Sequence, residues 1–214
     1  MLEVLIAVVP IAIYLVLLGS VNLRRHPYVL NGARESLLTG IALSGLAIVG
    51  PMELFFPQRF ANQFGLYAWL MLLLFYGLMV TLWILVARPR LVIYNVVNGP
   101  LRAVLSEAAL KLDPESRWAG DSLAMPGLNV QLHVESFNFM RNITLVSAGN
   151  EPNYTNWRRL EGLLRGSLQD VPVPRNPRGY VFAFVGILLL ISLALNAAMN
   201  SHLIAQDLLQ LLRI

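Results

Sequence analysis

Apolar residues dominate four stretches of this chain, roughly Val4 to Val21, Leu37 to Phe55, Leu66 to Ala87 and Tyr180 to Met199. Each approaches or exceeds the ~17–25 residues that cross a hydrocarbon core of ~30 Å, so the pattern predicts four transmembrane helices. Glu3 precedes the first stretch and Arg24-Arg25 follow it, the reverse of the charge order of a secretory leader, so it is expected to be a retained span.

Between the third and fourth stretches the period of the pattern changes. "LVIYNV" from Leu91 is rich in β-branched and aromatic residues, and "NGP" then supplies a capping Asn98 and Pro100 in a first helical turn. Leu101, Val104, Leu105, Ala108 and Leu112 recur at the spacing of one buried helix face until Asp113-Pro114 stops it. Gly120-Asp121 and Pro126-Gly127 mark turns around short strands at Trp118 and "SLAM". In "LNVQLHVES", Leu128, Val130, Leu132 and Val134 alternate with polar residues, which predicts a strand with one wet face, and "NITLVSA" predicts another. A second helix is expected to start near Asn153 to Thr155 and to bury Trp157, Leu160, Leu164 and Leu168.

The fold class that follows is a membrane protein of four transmembrane helices. An α+β domain, an antiparallel sheet with two helices, is inserted between the third and fourth. The expected divisions are a three-span region at 1–88, the α+β domain with its proline- and arginine-bearing tethers at 89–176, and a fourth span with an amphipathic C-terminal helix at 177–214. Pro89 ends the third span abruptly, and Pro172, Pro174 and Pro177 stiffen the return, so the domain is clamped to the membrane at both ends. The segment Leu91 to Val171 is expected to fold by itself.

Charge sets the orientation. Arg24, Arg25 and Arg34 lie between spans one and two, while Arg88, Arg90, Arg175 and Arg178 bracket the inserted domain. Lys and Arg near span ends stay in the cytoplasm, so these seven predict a cytoplasmic domain and both termini outside, in the manner of a bacterial inner-membrane protein. The other side carries Arg59 and Arg213 with Glu3, Glu53 and Asp207. The same seven arginines are the candidate lipid-surface contacts, each worth ~1 kcal/mol against an anionic bilayer. The composition agrees: 57% hydrophobic and 13% charged residues over 214 positions, against roughly 45–50% and 25% in a soluble domain. A net charge of +4 is then a membrane-surface feature, and nucleic acid is not an expected partner.

Candidate chemistry is sparse. The chain has no cysteine and three scattered histidines, which excludes thiolate chemistry and gives no basis for a metal site. Within the span limits there is no Asp, Glu, Lys, Arg or His except Glu53, near the outer end of span two, so a transport pathway is not expected. No phosphate-loop or dinucleotide spacing is present, and no cofactor is expected. His133 and Glu135 share one strand face without a third catalytic partner, and Arg158, Arg159 and Arg165 form a basic helix face. In span four, Ser192, Asn196 and Asn200 fall at i, i+4 and i+8, a polar stripe suited to helix association; Gly40 and Ser44 of span two, with Gly45 and Ala47, offer a surface for close approach.

The expected function is a noncatalytic integral-membrane scaffold or accessory subunit whose clamped domain docks partner subunits or its own copies. The alternative is a membrane-embedded enzyme or lipid-handling protein that binds anionic lipid phosphate through the first loop, using Arg24, Arg25 and His26.

Overall fold

The computed structural model of the chain describes residues 2–55, 66–96, 98–137, 140–149 and 153–212. Arg59 and Arg213, two of the residues used to assign orientation, lie outside the described residues. In chain order the elements are α1 (Leu2–Asn22), β1 (Tyr28–Asn31), α2 (Gly32–Phe55), α3 (Leu66–Val86), β2 (Arg90–Tyr94), α4 (Asn98–Leu112), β3 (Arg117–Ala119), β4 (Ser122–Met125), a 3-10 turn (Pro126–Leu128), β5 (Val130–Phe137), β6 (Asn142–Ser147), α5 (Tyr154–Gln169), α6 (Arg178–Met199) and α7 (Ser201–Leu212). They divide into two compact units, one made of Met1–Leu18, Ser36–Leu85 and Val181–Ile214, the other of Gly19–Glu35 and Val86–Tyr180.

The first unit is helical. Three helices are long and apolar enough to cross a membrane: α1, the Gly32–Gly50 part of α2, and α6. The expected third span coincides with α3, whose apolar stretch Leu70–Val86 is shorter. Large apolar side chains such as Met71, Leu74, Trp83, Phe184 and Leu195 are exposed along α3 and α6. Packing within the unit runs through small residues. A Cβ on Gly40 would lie 2.9 Å from Val80 Cγ1 of α3, and one on Gly45 would strike the Ile6 carbonyl of α1. One on Gly186 of α6 would lie 2.8 Å from the Ala12 carbonyl oxygen. Tyr76 Oη donates to the Gly40 carbonyl at 2.6 Å. Helix α6 ends at Met199 and a turn at Asn200 separates it from the C-terminal helix α7, on which Asp207 accepts from the Leu2 amide at 3.3 Å.

The second unit is the α+β domain. Its six strands are all antiparallel, in the order β1-β2-β6-β5-β4-β3. Leu91, Ile93, Leu123, Met125, Leu132, Ile143 and Leu145 point from the sheet into one core. Onto it pack Leu101, Leu105, Ala108 and Ala109 of α4 and Trp157, Leu160, Leu164 and Leu168 of α5. The buried face of α5 is the one its spacing predicts, and the Asn153 side chain accepts from the amides of Thr155 and Asn156, capping the helix. On α4, Val104 and Leu112 sit at the margin of the core and Ala109 takes a central place.

The sheet also takes in a strand that the hydrophobic pattern does not announce. Tyr28–Asn31, in the connection between α1 and α2, pairs with β2 so that Val29 lies opposite Ile93 and Leu30 opposite Val92. Val29 enters the core, and Leu30 is buried on the other side of the sheet. Four residues between Pro27 and Gly32 are too few to display an alternation; their partner lies some sixty positions downstream, beyond two apolar helices.

Candidate functional site

The domain gathers the chain ends of its long helices. The last turn of α1, the first turn of α2, the end of α3 and the start of α6 all belong to this unit. Their connections are joined by three asparagines, each 1% exposed: Asn22, Asn95 and Asn176. Asn176 Nδ2 donates to Asn22 Oδ1 at 3.1 Å and to the Met140 carbonyl at 3.0 Å. Its backbone amide donates to the Asn22 carbonyl, and its Oδ1 accepts from the Arg178 amide. Asn95, in the left-handed region at φ 56°, donates from Nδ2 to the Arg24 carbonyl at 2.8 Å. One residue on, the Arg25 carbonyl accepts from the Val173 amide at 2.8 Å. The first loop, the β5–β6 turn and the proline tether are thus sewn together by the hydrogen bonds of these buried asparagines, although Asn95 Oδ1 has no partner among the described residues. The sequence offered no sign of this network, since a buried asparagine and a turn asparagine look alike.

The seven candidate lipid-contacting arginines separate into distinct environments. Arg24, Arg25, Arg34, Arg88 and Arg175 are exposed, whereas Arg178 is half-buried at the start of α6. Arg90 is half-buried and its guanidinium meets Glu35 at 2.6 Å, tying the start of β2 to the first turn of α2. Arg24 and Arg25, with His26, Tyr28 and Gln169, line a cleft of about 370 Å³ to which α5 also contributes Arg165. Arg165 therefore groups with the first loop, while Arg158 and Arg159 line a separate cleft with Tyr154 and Thr155 at the start of α5.

The remaining candidates are structural in their surroundings. His133 and Glu135 share the exposed face of β5, where His133 Nδ1 lies 3.0 Å from Ser122 Oγ, its cross-strand neighbour. Among the described residues nothing hydrogen-bonds the other ring nitrogen, and neither residue lines the clefts beside Trp118, the first loop or the start of α5. The Ser–His contact therefore lacks the orienting group of a catalytic triad. Trp118 packs on the core, donates from Nε1 to Ser106 Oγ at 2.9 Å, and carries the Arg102 guanidinium 4.5 Å above its ring. Among the described residues no three His, Asp or Glu side chains are grouped to hold a metal.

The candidate helix-packing residues have distinct surroundings. Gly40 contacts α3, and Ser44 is half-buried, its hydroxyl donating to the Ile41 carbonyl of its own helix at 2.7 Å. Asn200 Nδ2 bonds the side-chain oxygen of Asn196 at 2.8 Å and its carbonyl at 3.1 Å, which closes the end of α6. Ser192 and Asn196 are exposed. No family model, no curated protein and no solved structure matches this chain.

Proposed function

We propose that the protein is a noncatalytic integral-membrane scaffold or accessory subunit. In this reading α1, α2, α3 and α6 are four spans, both termini lie outside, and the α+β domain sits in the cytoplasm to dock partner subunits or further copies of the chain. The observation that carries it is the uncovered polar stripe of α6. An asparagine within hydrocarbon is tolerated when its amide is satisfied, and Asn196, an exposed residue, uses its side-chain oxygen on Asn200 while its amide nitrogen has no acceptor among the described residues. A helix of another chain, bringing a polar side chain or a backbone carbonyl to that stripe, satisfies it for ~1–2 kcal/mol.

Asn196→Leu is the test. The variant is expected to insert as well as wild type, since the change makes the helix more apolar, and to run as a smaller species on a native gel in mild detergent. Unchanged migration of a wild-type assembly would remove α6 from the interface. Orientation is checked separately with an impermeant thiol reagent, which the absence of native cysteine makes simple. Cysteines replacing Glu115 and Ser167 are expected to stay protected in intact cells, and one replacing His202 to react; labelling at Glu115 reverses the topology.

A further inference from the structure

We infer that the cleft between the first loop and α5 is a binding site for a phosphate group, with Arg24, Arg25 and Arg165 as its ligands. This goes beyond the scaffold reading and does not depend on it. Three arginines from two separate parts of the chain line one concavity, and its volume of about 370 Å³ falls within the roughly 300–1,000 Å³ of small-ligand sites. The arginines are also held in place. Arg24 and Arg25 sit on backbone clamped at successive carbonyls by Asn95 and Val173, with Pro27 buried just beyond. Arg24 stacks over the Tyr28 ring with its guanidinium carbon 4.8 Å from the centroid. Arg165 is steadied by Glu161 at 2.9 Å, and Glu161 in turn by Asn31 of β1 at 3.1 Å. Among the described residues Arg24 and Arg25 have no carboxylate partner, so Glu161 offsets one of the three positive charges and an excess of two remains.

Planar guanidiniums held this way bind phosphate oxygens in bidentate fashion, and holding them beforehand spares the side-chain entropy that a flexible cluster loses on binding. His26 and Gln169, which can also donate hydrogen bonds, line the same cleft. Where the phosphate comes from is constrained by chain length: Arg24 lies two residues past the end of α1, at most about 7 Å of extended chain. If α1 spans the bilayer, that is headgroup depth, so the phosphate of an anionic lipid is within reach, and a free phosphate in solution offers the same chemistry.

The full-length protein in a neutral detergent is titrated calorimetrically with dihexanoyl phosphatidic acid and, separately, with inorganic phosphate. Saturable binding of at least one probe is expected. The Arg25→Gln/Arg165→Gln variant should weaken it at least tenfold, and Arg158→Gln/Arg159→Gln, which removes the same charge outside the cleft, by less than twofold. Both pairs are exposed, and unchanged circular dichroism confirms that the variants are folded. Saturation by the lipid alone assigns a headgroup; comparable binding of inorganic phosphate with the same dependence on Arg25 and Arg165 assigns a soluble ligand. Equal losses in the two double variants, or no saturable binding of either probe, overturn the site.

Discussion

Residues 91–171 expressed alone are expected to show no cooperative thermal transition, whereas residues 23–35 joined by a short glycine-serine linker to 86–180 are expected to melt in one step. The first fragment contains both helices and five strands, and by its sequence pattern it looks complete. It lacks β1, and with it Val29 and Leu30, which are 4% and 8% exposed in the folded chain. Burying each such side chain is worth ~1.5–3 kcal/mol, and the β1–β2 ladder adds backbone hydrogen bonds at ~0.5–1.5 kcal/mol each. Against a total stability of ~5–15 kcal/mol for a domain of this kind, losing the strand removes much or all of the margin. The cut also turns β2, buried along nearly its whole length, into an open apolar edge that invites aggregation. The joined fragment restores the strand as a simple hairpin, because Asn31 and Leu91 are already paired at its closed end. Circular dichroism melts of the two fragments decide the matter, and a single sharp transition in 91–171 would show that β1 is dispensable.

The contrast between what was legible and what was not follows from the range of the interactions. Helix α5 could be read residue by residue because its cap at Asn153 and its buried face of Trp157, Leu160, Leu164 and Leu168 are local, each a consequence of helical spacing. The alternation of β5 was legible for the same reason. Strand β1 was not, because what makes Tyr28–Asn31 a strand is the edge of β2. The glycines of α2 were legible as points of close approach, but a small residue does not say what approaches: Gly40 meets Val80 of α3 and Gly45 meets Ile6 of α1. The basic first loop is visible as a charge cluster, while its partner Arg165, which sequence spacing groups with Arg158 and Arg159, is brought to it by the packing of α5. Long-range pairings, which set this domain's connection to its helices, leave no periodic trace.

Asn176→Leu is expected to loosen that connection while leaving the sheet intact. The leucine is similar in volume but makes none of the side-chain bonds, so it strips a donor from Asn22 Oδ1, a donor from the Met140 carbonyl and an acceptor from the Arg178 amide. A buried polar group left without its partner costs ~1–3 kcal/mol, or roughly 3–6 kcal/mol for the three allowing for some relaxation toward water. The penalty falls on the proline tether, the first loop and the β5–β6 turn, none of which contributes the central core leucines. Native-state hydrogen exchange separates the two levels, because local openings have their own free energies below that of global unfolding. Amides of Val173, Asn176 and Gly179 are expected to exchange at least a hundredfold faster in the variant, while those of Leu132 and Leu145 in the middle of the sheet change far less. Unchanged exchange in the tether would mean that the asparagine network contributes nothing to the clamp. Equal acceleration at Leu132 and Leu145 would mean that tether and sheet unfold as one unit, so that the domain has no stability separate from its attachment to the helices.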